Sequence, residues 1–335
     1  MKRTSQYDPV FDSIRNTLIS NDDFLITSHI HPDGDSLASA LVLSDILKQL
    51  NKHSVIIIDD EIPVKYRFFP GIENVRRFDG QPVDNEKAIC CVLDASNLDR
   101  LGSMKSIVEN AKTSINIDHH ARNQRYATIN WVDGCESSTV EMVYQLLVYL
   151  DCKLSGELAT LIYSGIVCDT GRFRFPNTTY RSMSVCVEML RQGISASAIS
   201  EQIYYKKHPD TLKALGRCLE NLELKEDGRI GILTMTLSDT RDFPEADTEG
   251  FVEYLHSIDG TEINFICKEK DPDVFRVSLR SKTDVDVSLI AESFQGGGHA
   301  KAAGCTVNGS IESVKNRVLE VIKSSLKTKL SQMVA

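Results

Sequence analysis

Histidine and aspartate residues cluster directly behind short apolar segments of this chain. The segment from His29 to Asp35 follows apolar residues 24–27, and the segment from Asp118 to His120 follows residues 114–117. Two single carboxylates have a similar setting, Asp94 behind residues 88–93 and Asp169 behind residues 161–168. In a parallel sheet, the carboxyl ends of the strands face one crevice. The pattern therefore predicts that four distant segments bring His and Asp side chains to one point.

Strand-like and helix-like patterns alternate along the first half of the chain. We expect strands at residues 24–27, 54–59, 88–93 and 114–117, and helices at residues 12–20, 36–50, 137–150 and 157–168. Alternation of this kind predicts an α/β domain with a mostly parallel sheet and helices on both faces.

The second half of the chain restarts this pattern after a helical stretch. Strands are expected at residues 229–237, 262–268 and 274–280, and helices at residues 288–294 and 311–330. We therefore predict two domains, which the length of 335 residues also favours. The expected parts are an N-terminal α/β domain at residues 1–190, a helical linker at residues 191–220 and a smaller α/β domain with a mixed sheet at residues 221–335.

Composition narrows the class of protein. The chain has 38 Lys and Arg against 47 Asp and Glu, a net charge of −9, which argues against tight binding to long nucleic acid. Its nine cysteines contain no Cys-x-x-Cys pair, and most lie in apolar runs. Residues 1–12 lack the apolar centre of a signal peptide, and no apolar run approaches membrane-spanning length. We therefore expect a protein of the reducing cytoplasm, with no membrane partner.

The His and Asp residues are a donor set for divalent metal ions. His29, Asp33 and Asp35 lie on one segment that Pro32 and Gly34 interrupt, so its two carboxylates can point in different directions. Imidazole and carboxylate ligands without thiolate suit Mn²⁺, Mg²⁺ or similar ions. There are ligands enough for two ions, which is the apparatus of phosphoester hydrolysis. A plain turn is the usual explanation for one Asp-x-Asp, but four such segments behind apolar runs weaken it.

Two ions about 3.5–4 Å apart activate water near neutral pH, so no Ser or Cys nucleophile is required. A bridging carboxylate would hold the two positive ions together, and Asp94 and Asp169 are the candidates. Asp118 would orient a neighbouring imidazole. His120 is a candidate for donating to a phosphate oxygen or protonating the leaving group. His31 is expected to point away from the ligands.

A glycine-rich segment in the second half is a candidate phosphate-binding element. Gly296, Gly297 and Gly298 are followed by His299, and they lie between two expected helices. Backbone N–H groups of such a loop can surround an anion, although a flexible hairpin is the default interpretation. Arg280 and Ser281, at the end of an expected strand, favour the phosphate interpretation because Arg can bind phosphate through two hydrogen bonds.

These motifs together resemble the DHH phosphoesterases with their DHH-associated C-terminal domain. The shared order is His-x-x-x-Asp-x-Asp, Asp, Asp-His-His, Asp, then Arg-Ser and Gly-Gly-Gly-His-x-x-Ala-Ala-Gly. The resemblance covers nearly the whole chain, and length and domain content are similar to the nanoRNase (NrnA-like) branch. One departure is Gln295, which stands where many relatives have a further glycine. The resemblance implies an active-site cleft between the two domains.

The resemblance also implies roles for single residues. His29 and Asp33 would ligate one ion, Asp35 and His119 the other, and Asp94 and Asp169 would be shared or nearly so. His120 would contact the scissile phosphate. The terminal nucleotide and its 5′-phosphate would be bound by Arg280, Ser281, Gly296, Gly297, Gly298 and His299. The expected cofactors are two Mn²⁺ ions, with Mg²⁺ or Co²⁺ as alternatives.

The implied activity is degradation of very short single-stranded RNA to 5′-mononucleotides, together with dephosphorylation of 3′-phosphoadenosine-5′-phosphate to AMP. One alternative is a phosphodiesterase for linear dinucleotides, pApA or pGpG, in cyclic-dinucleotide signalling. A RecJ-like exonuclease on longer single strands is a second alternative, but it would need a basic groove with stacking aromatic side chains. A nucleotide sensor without catalysis is a third, and the complete ligand set argues against it. A homodimer is left open.

Overall fold

The computed structural model describes residues 9–81 and 88–334 of the chain, residues 327–334 by their backbone alone. It divides into two compact units, one ending at Lys206 and the other beginning at Lys207. Each unit contains one six-stranded sheet. The predicted α/β class is therefore confirmed, with one sheet parallel and the other mixed.

The first unit contains six strands and seven helices within the described residues. Its strands are β1 (Asp23–Ser28), β2 (His53–Ile58), β3 (Val75–Arg77), β4 (Ile89–Leu93), β5 (Ser114–Asp118) and β6 (Ile129–Val132). Its helices are α1 (Pro9–Ser20), α2 (Gly34–Gln49), α3 (Lys105–Glu109), α4 (Thr139–Tyr149), α5 (Gly156–Asp169), α6 (Tyr180–Arg191) and α7 (Ala196–Ser200). Short 3₁₀ segments span Val64–Tyr66, Ile72–Asn74 and Leu98–Met104, and a π-helical turn spans Glu201–Tyr205.

The sheet of this unit has the strand order β3-β2-β1-β4-β5-β6, and every neighbouring pair is parallel. Side chains alternate between two apolar cores, as the two faces of a sheet require. Ile26 and Cys91 belong to the core on one face, together with residues of α2, α4 and α5. Leu25 and Cys90 belong to the core on the other face, beneath residues 98–108. Helical segments therefore cover both faces, as the sequence predicts.

Local signals set the starts of the helices that flank the site. Asp33 caps α2, and its side chain accepts hydrogen bonds from the backbone N–H groups of Asp35 and Ser36. The Ser36 hydroxyl in turn accepts from the backbone N–H of Asp33, which completes a capping box. Ser138 caps α4 in the same way by accepting from the N–H of Glu141. Asp33, in the segment of candidate metal ligands from His29 to Asp35, therefore also fixes the start of the helix that follows this segment.

The second unit contains a mixed sheet with the order β11-β12-β10-β9-β8-β7. Its strands are β7 (Glu223–Lys225), β8 (Ile230–Met235), β9 (Ile263–Asp271), β10 (Val274–Ser281), β11 (Gly297–His299) and β12 (Ala302–Asn308). Only the pair β8 and β9 is parallel within the described sheet. Its helices are α8 (Pro209–Glu220), α9 (Leu237–Asp242), α10 (Phe251–His256), α11 (Val287–Glu292) and α12 (Ile311–Val334).

One expectation about local structure was wrong. The glycine-rich segment is an edge strand and not a loop, because Gly297, Gly298 and His299 pair with β12. The helix expected at residues 157–168 is confirmed as α5, and Asp169 is its last residue, so this carboxylate reaches the site from a helix and not from a strand end.

Candidate metal centre and substrate-binding residues

The site lies at the point where the strand order of the parallel sheet reverses direction. β1 and β4 are neighbours there, and Ser28 is in register with Leu93. His29 and Asp94 directly follow the two strands. They therefore lie at the crevice outside the carboxyl ends of the strands, where α/β proteins bind ligands. Both side chains are buried, and His29 Nε2 lies 3.3 Å from Asp94 Oδ2.

The two buried histidines have the same arrangement. His29 donates from Nδ1 to the carbonyl oxygen of Ile30 at 2.8 Å, which turns its Nε2 towards Asp94. His119 Nδ1 lies 3.3 Å from the carbonyl oxygen of Glu136, and its Nε2 lies 3.6 Å from Asp94 Oδ1. A backbone carbonyl that binds one ring nitrogen and leaves the other for a metal ion is typical of histidine ligands.

Asp33 completes a first group of donors. Its Oδ1 caps α2, while its Oδ2 lies 3.7 Å from His29 Nε2. One donor atom each from His29, Asp33 and Asp94 lies within 4.8 Å of the others. Burial alone would lower the pKa of His29, but its hydrogen bonds with Asp33 and Asp94 outweigh burial and raise that pKa to about 10.

Asp35 belongs to a second group, with Asp94 and His119. The backbone N–H groups of Thr139 and Val140 donate to Asp35 Oδ2 and Oδ1 at 2.7 and 2.8 Å. The amino end of α4 therefore fixes this fully buried carboxylate. Burial, and then the charges of Asp94 and Asp169, raise the pKa of Asp35 well above its usual value.

Asp94 is common to both groups, with one oxygen towards each. Its Oδ2 faces His29, and its Oδ1 faces His119 and accepts a hydrogen bond from the hydroxyl of Thr139 at 3.0 Å. Its backbone has a φ of +57°, a conformation that costs about 1–3 kcal/mol for a residue other than glycine. The chain therefore adopts an unfavourable turn that places this carboxylate between the two histidines.

Asp169 lies on the other side of His119, with its Oδ2 3.5 Å from His119 Nε2. The amide of Asn177 donates to the same oxygen at 3.1 Å. Burial, followed by the charges of Asp94 and Asp33, raises the pKa of Asp169 well above its usual value. Asp169 thus adds a further carboxylate beside the second group.

Asp118 and His120 form a pair next to these donors. His120 donates from Nδ1 to Asp118 Oδ1 at 2.7 Å, and Asn123 donates to Asp118 Oδ2 at 2.6 Å. Burial would raise the pKa of Asp118, but the charge and hydrogen bond of His120 and the hydrogen bond of Asn123 lower it. His120 Nδ1 also lies 3.6 Å from Asp94 Oδ1. The imidazole that Asp118 orients is therefore that of His120.

His31 is directed away from the donors. Its backbone N–H donates to Asp60 Oδ2 at 2.6 Å, and its Nδ1 lies 3.0 Å from the same oxygen. The side chain is half exposed, and the residue has a φ of +56°. This backbone turn separates His31 from its neighbours on the motif.

The donor set fits divalent cations in its chemistry and its electrostatics. Carboxylates and imidazoles are the ligands of Mn²⁺ and Mg²⁺. Burial and neighbouring carboxylates raise the pKa of Asp35 and Asp169, and bound cations would offset the mutual repulsion of these carboxylates. The two donor groups that share Asp94 can accommodate two ions.

Arg280 and Ser281 lie at the end of β10, where they face opposite sides of the sheet. Arg280 is partly exposed and donates from Nε to Glu253 Oε1 at 2.5 Å. Ser281 is buried, and its hydroxyl donates to the carbonyl oxygen of Thr283 at 2.9 Å. Of these two side chains, Arg280 is the accessible one.

The glycines at the edge of this sheet allow a close approach of backbones. A Cβ atom on Gly296 would lie 2.2 Å from the carbonyl oxygen of Gly304, and one on Gly298 would lie 2.6 Å from that of Ala302. Gln295, just before them, has a φ of +60°. A glycine would adopt this conformation more easily, in keeping with the glycine expected there from the family pattern. His299, at the end of β11, is partly exposed.

Sequence reasoning missed residues that hold the donors by hydrogen bonds. Thr139 binds Asp94 and Asp35, Asn177 binds Asp169, and Asn123 binds Asp118. In the described part of the chain, no helix is both long and apolar enough to cross a membrane.

Known proteins resemble this chain in sequence and in fold. Residues 23–166 match the model of the DHH family, N-terminal domain, and residues 230–328 match that of the DHHA1 domain. The bifunctional oligoribonuclease and PAP phosphatase NrnA of Thermus thermophilus is 31% identical, over 90% of this chain and 89% of the relative. The NrnA of Bacillus subtilis is 30% identical, over 87% of this chain and 91% of the relative.

Among solved structures, an exopolyphosphatase-related protein from Bacteroides fragilis superposes with a TM-score of 0.87. It is 25% identical, and the match covers 100% of both chains. The two family models match in the same order as the motifs, and the relatives align over most of this chain and most of their own length. This chain therefore belongs to the DHH family of phosphoesterases, which are hydrolytic enzymes, and carries the DHHA1 domain after the DHH domain.

Proposed function

We propose that this enzyme is a metal-dependent phosphodiesterase that degrades very short RNA from the 5′ end to 5′-mononucleotides. The same site would remove the 3′-phosphate of 3′-phosphoadenosine-5′-phosphate and leave AMP. One observation carries the proposal: Asp94 directs one oxygen towards each of two donor groups. Relatives named as bifunctional oligoribonuclease and PAP phosphatase, matched over most of their length, support the choice of substrates.

In this proposal, the two donor groups hold two divalent ions. His29 and Asp33 hold one, Asp35 and His119 hold the other, Asp94 is shared and Asp169 lies close to both. Such ions, when bound, lower the pKa of water and neutralise phosphoryl oxygens. Mn²⁺ is the proposed ion, with Mg²⁺ and Co²⁺ as the alternatives to test.

The residues of the chain supply orientation and a proton. His120, held by Asp118, donates to a phosphate oxygen or to the departing 3′-oxygen. Arg280, His299 and the glycine segment 296–298 bind the terminal nucleotide through its 5′-phosphate, with Ser281 supporting the turn after Arg280. In both reactions water replaces the 3′-oxygen on phosphorus, so one set of residues serves both substrates.

A panel of substrates tests the proposal. We would compare hydrolysis of a 5′-labelled RNA trimer, a 24-mer, pApA, pGpG and 3′-phosphoadenosine-5′-phosphate, each with Mn²⁺, Mg²⁺, Co²⁺ or EDTA. The proposal predicts metal-dependent cleavage of the trimer and the bisphosphate, with the 24-mer nearly spared. Preference for pApA or pGpG alone would favour the signalling alternative, and preference for the 24-mer would favour a RecJ-like exonuclease.

Two variants separate the metal site from the nucleotide site. Asp94→Ala removes the shared carboxylate and should abolish turnover of every substrate. Arg280→Ala removes a phosphate contact and should mainly raise KM. Full retention of kcat/KM in Arg280→Ala would contradict the proposed role of the C-terminal unit.

A further inference from the structure

The carbonyl oxygen of Ala95 accepts hydrogen bonds from several side chains at once. Tyr126 donates its hydroxyl at 2.9 Å, and the amides of Asn123 and Asn116 donate at 3.2 and 3.3 Å. A carbonyl oxygen has two lone pairs, so three donors exceed what its hydrogen bonding ordinarily requires. Side chains from β5 and from the segment after it therefore converge on one backbone atom.

This carbonyl belongs to the residue that directly follows Asp94. Asp94 has a φ of +57°, in the left-handed region that residues other than glycine rarely adopt. The backbone N–H of Asp94 donates to the carbonyl oxygen of Ile117 at 3.0 Å, so hydrogen bonds hold the chain on both sides of the turn. A conformation of this kind persists only where the surrounding structure over-determines it.

Asn116 is a polar residue on an apolar face of the sheet. It lies in the middle of β5 between two isoleucines and is fully buried. The isoleucines face the core that contains α2, α4 and α5, so Asn116 faces the other core, to which Ala95 belongs. Its amide donates to the carbonyl oxygens of Val92 and Ala95 and accepts from Asn123. These bonds offset the cost of burying an amide, where an apolar side chain would be the ordinary choice.

Tyr126 reaches the same carbonyl from the segment that follows His120. Its side chain is partly buried. Burial, and then the charges of Asp118 and Asp94, raise the pKa of Tyr126 above its usual value. The hydroxyl therefore keeps its proton near neutral pH and remains a donor to Ala95.

Asn123 connects this carbonyl to the neighbouring pair of Asp118 and His120. Its amide also donates to Asp118 Oδ2 at 2.6 Å, and Asp118 Oδ1 accepts from His120. His120 Nδ1 in turn lies 3.6 Å from Asp94 Oδ1. One hydrogen-bonded network therefore holds both the chain beyond Asp94 and the imidazole beside it.

We propose that Asn116 and Tyr126 are positioning residues for the carboxylate that the two donor groups share. They act through the carbonyl of Ala95 and hold Asp94 in the left-handed turn that directs one oxygen towards each group. Relaxation of this turn would move the carboxylate out of the space between the two histidines, so loss of a donor shifts the population away from the binding conformation. This inference rests on the proposed role of Asp94 at two ions and adds the residues that place it there.

Removal of one hydroxyl is the mildest test. Tyr126→Phe should weaken Mn²⁺ binding, measured by equilibrium dialysis, about three- to tenfold, which is the effect of one lost hydrogen bond. Asn116→Leu has a similar volume and should weaken it further, because it removes more of the network. The matched control is Tyr149→Phe, which loses a hydroxyl bond to Asp12 at the other end of α4 from Thr139, about 15 Å along the helix axis.

A spectroscopic readout separates positioning from a general loss of stability. Electron paramagnetic resonance distinguishes isolated Mn²⁺ from pairs of ions coupled through a shared carboxylate. At two equivalents of Mn²⁺, the coupled fraction should be lower in Tyr126→Phe than in Tyr149→Phe. Saturating Mn²⁺ should restore both the coupled fraction and kcat, with KM for the nucleotide unchanged. A merely structural role would lower the unfolding temperature and leave the coupled fraction of the folded protein unaltered.

Equal Mn²⁺ affinity and equal coupled fractions in Tyr126→Phe and Tyr149→Phe would overturn the positioning role, and this comparison decides even where Asn116→Leu does not fold. An unchanged protein that forms no coupled pair would overturn both this inference and the two-ion site. If the unchanged protein binds a coupled pair but hydrolyses no nucleotide, the proposed function is rejected. The dialysis and the spectra of Tyr126→Phe would then still decide the positioning role, because neither measurement requires turnover.

Discussion

Thr139 donates its side-chain hydroxyl to Asp94 Oδ1 at 3.0 Å, although 45 residues separate them. Both side chains are buried, and the backbone N–H of Thr139 donates to Asp35 at the same time. One residue at the amino end of α4 thereby fixes two carboxylates of the candidate metal centre.

Removal of that hydroxyl tests how strongly the metal centre depends on its hydrogen-bonded surroundings. Thr139→Val keeps the backbone bond to Asp35 and loses the bond to Asp94. Loss of a partner that orients a ligand costs about 10- to 100-fold in metal affinity or activity. We therefore expect the Mn²⁺ concentration needed for half-maximal turnover to rise by about 10- to 100-fold. Thr139→Ser keeps the hydroxyl and should stay close to the unchanged protein, and equal behaviour of both variants would contradict this role.

Asp118 should matter for the rate and little for substrate affinity. Asp118→Asn replaces the charged acceptor of the 2.7 Å hydrogen bond from His120 with a neutral amide, so the bond that orients the imidazole becomes weaker. We expect kcat to fall about 10- to 100-fold, with KM little changed. Asp99→Asn makes the same chemical change at an exposed site, where Asp99 pairs with Lys105, and serves as the control. A rise in KM at unchanged kcat would argue against the orienting role.

Binding of metal should release protons. The pKa of His29 is raised from 6.5 to about 10, so in the metal-free protein at pH 8 its imidazole is protonated. A metal ion requires the neutral ring, and therefore Mn²⁺ affinity should rise with pH up to about 10. Calorimetry of Mn²⁺ binding in buffers with different ionisation enthalpies should show release of at least about one proton.

The raised pKa of His29 makes metal affinity increase with pH, but it makes the stability of the metal-free fold decrease with pH. A raised pKa stabilises the folded protein fully below pH 6.5, and that stabilisation is lost as the pH rises through about 10. In EDTA, the contribution of His29 to the free energy of unfolding should therefore fall over this range. His31→Gln, which changes a histidine directed away from the donors, should leave the proton count unaltered. Metal binding without proton release would contradict the account.

Gln295 and Gly298 should respond in opposite directions to substitution. Gln295 has a φ of +60°, and glycine would avoid a backbone cost of about 1–2 kcal/mol, less its own entropic cost of about 0.5–1 kcal/mol. Gln295→Gly should therefore stabilise the protein slightly. Gly298→Ala would place a Cβ 2.6 Å from the carbonyl oxygen of Ala302 and should destabilise it by more than about 1 kcal/mol. Thermal unfolding measures both changes, and a lower Tm for Gln295→Gly would contradict the strain argument.

The sequence predicts the part of the site that follows from sheet geometry. His29, Asp94 and His119 each follow a strand, and parallel strands end at one edge, so their convergence is expected before the structure is known. Asp169 reaches the same place from the end of helix α5, and a helix end carries no such rule of convergence. The hydrogen bonds of Thr139 and Asn177 depend on how α4 and the turn after α5 pack, and a single sequence carries no signal for them.

Short elements were the other part of the fold that the sequence did not predict. Val75–Arg77 and Ile129–Val132 form the two edge strands of the parallel sheet, and neither stood out as an apolar run. Gly297–His299 has a composition that disfavours strands, and its pairing with β12 depends on close approach of the two backbones.

Equilibrium dialysis with Mn²⁺, comparing the unchanged protein with Asp94→Ala, tests the central claim most directly, namely that one carboxylate joins two metal sites. The account predicts two ions per chain in the unchanged protein, and weakened binding of both in Asp94→Ala together with loss of turnover. A single ion per chain in the unchanged protein, or two ions retained at unchanged affinity in Asp94→Ala, would contradict it.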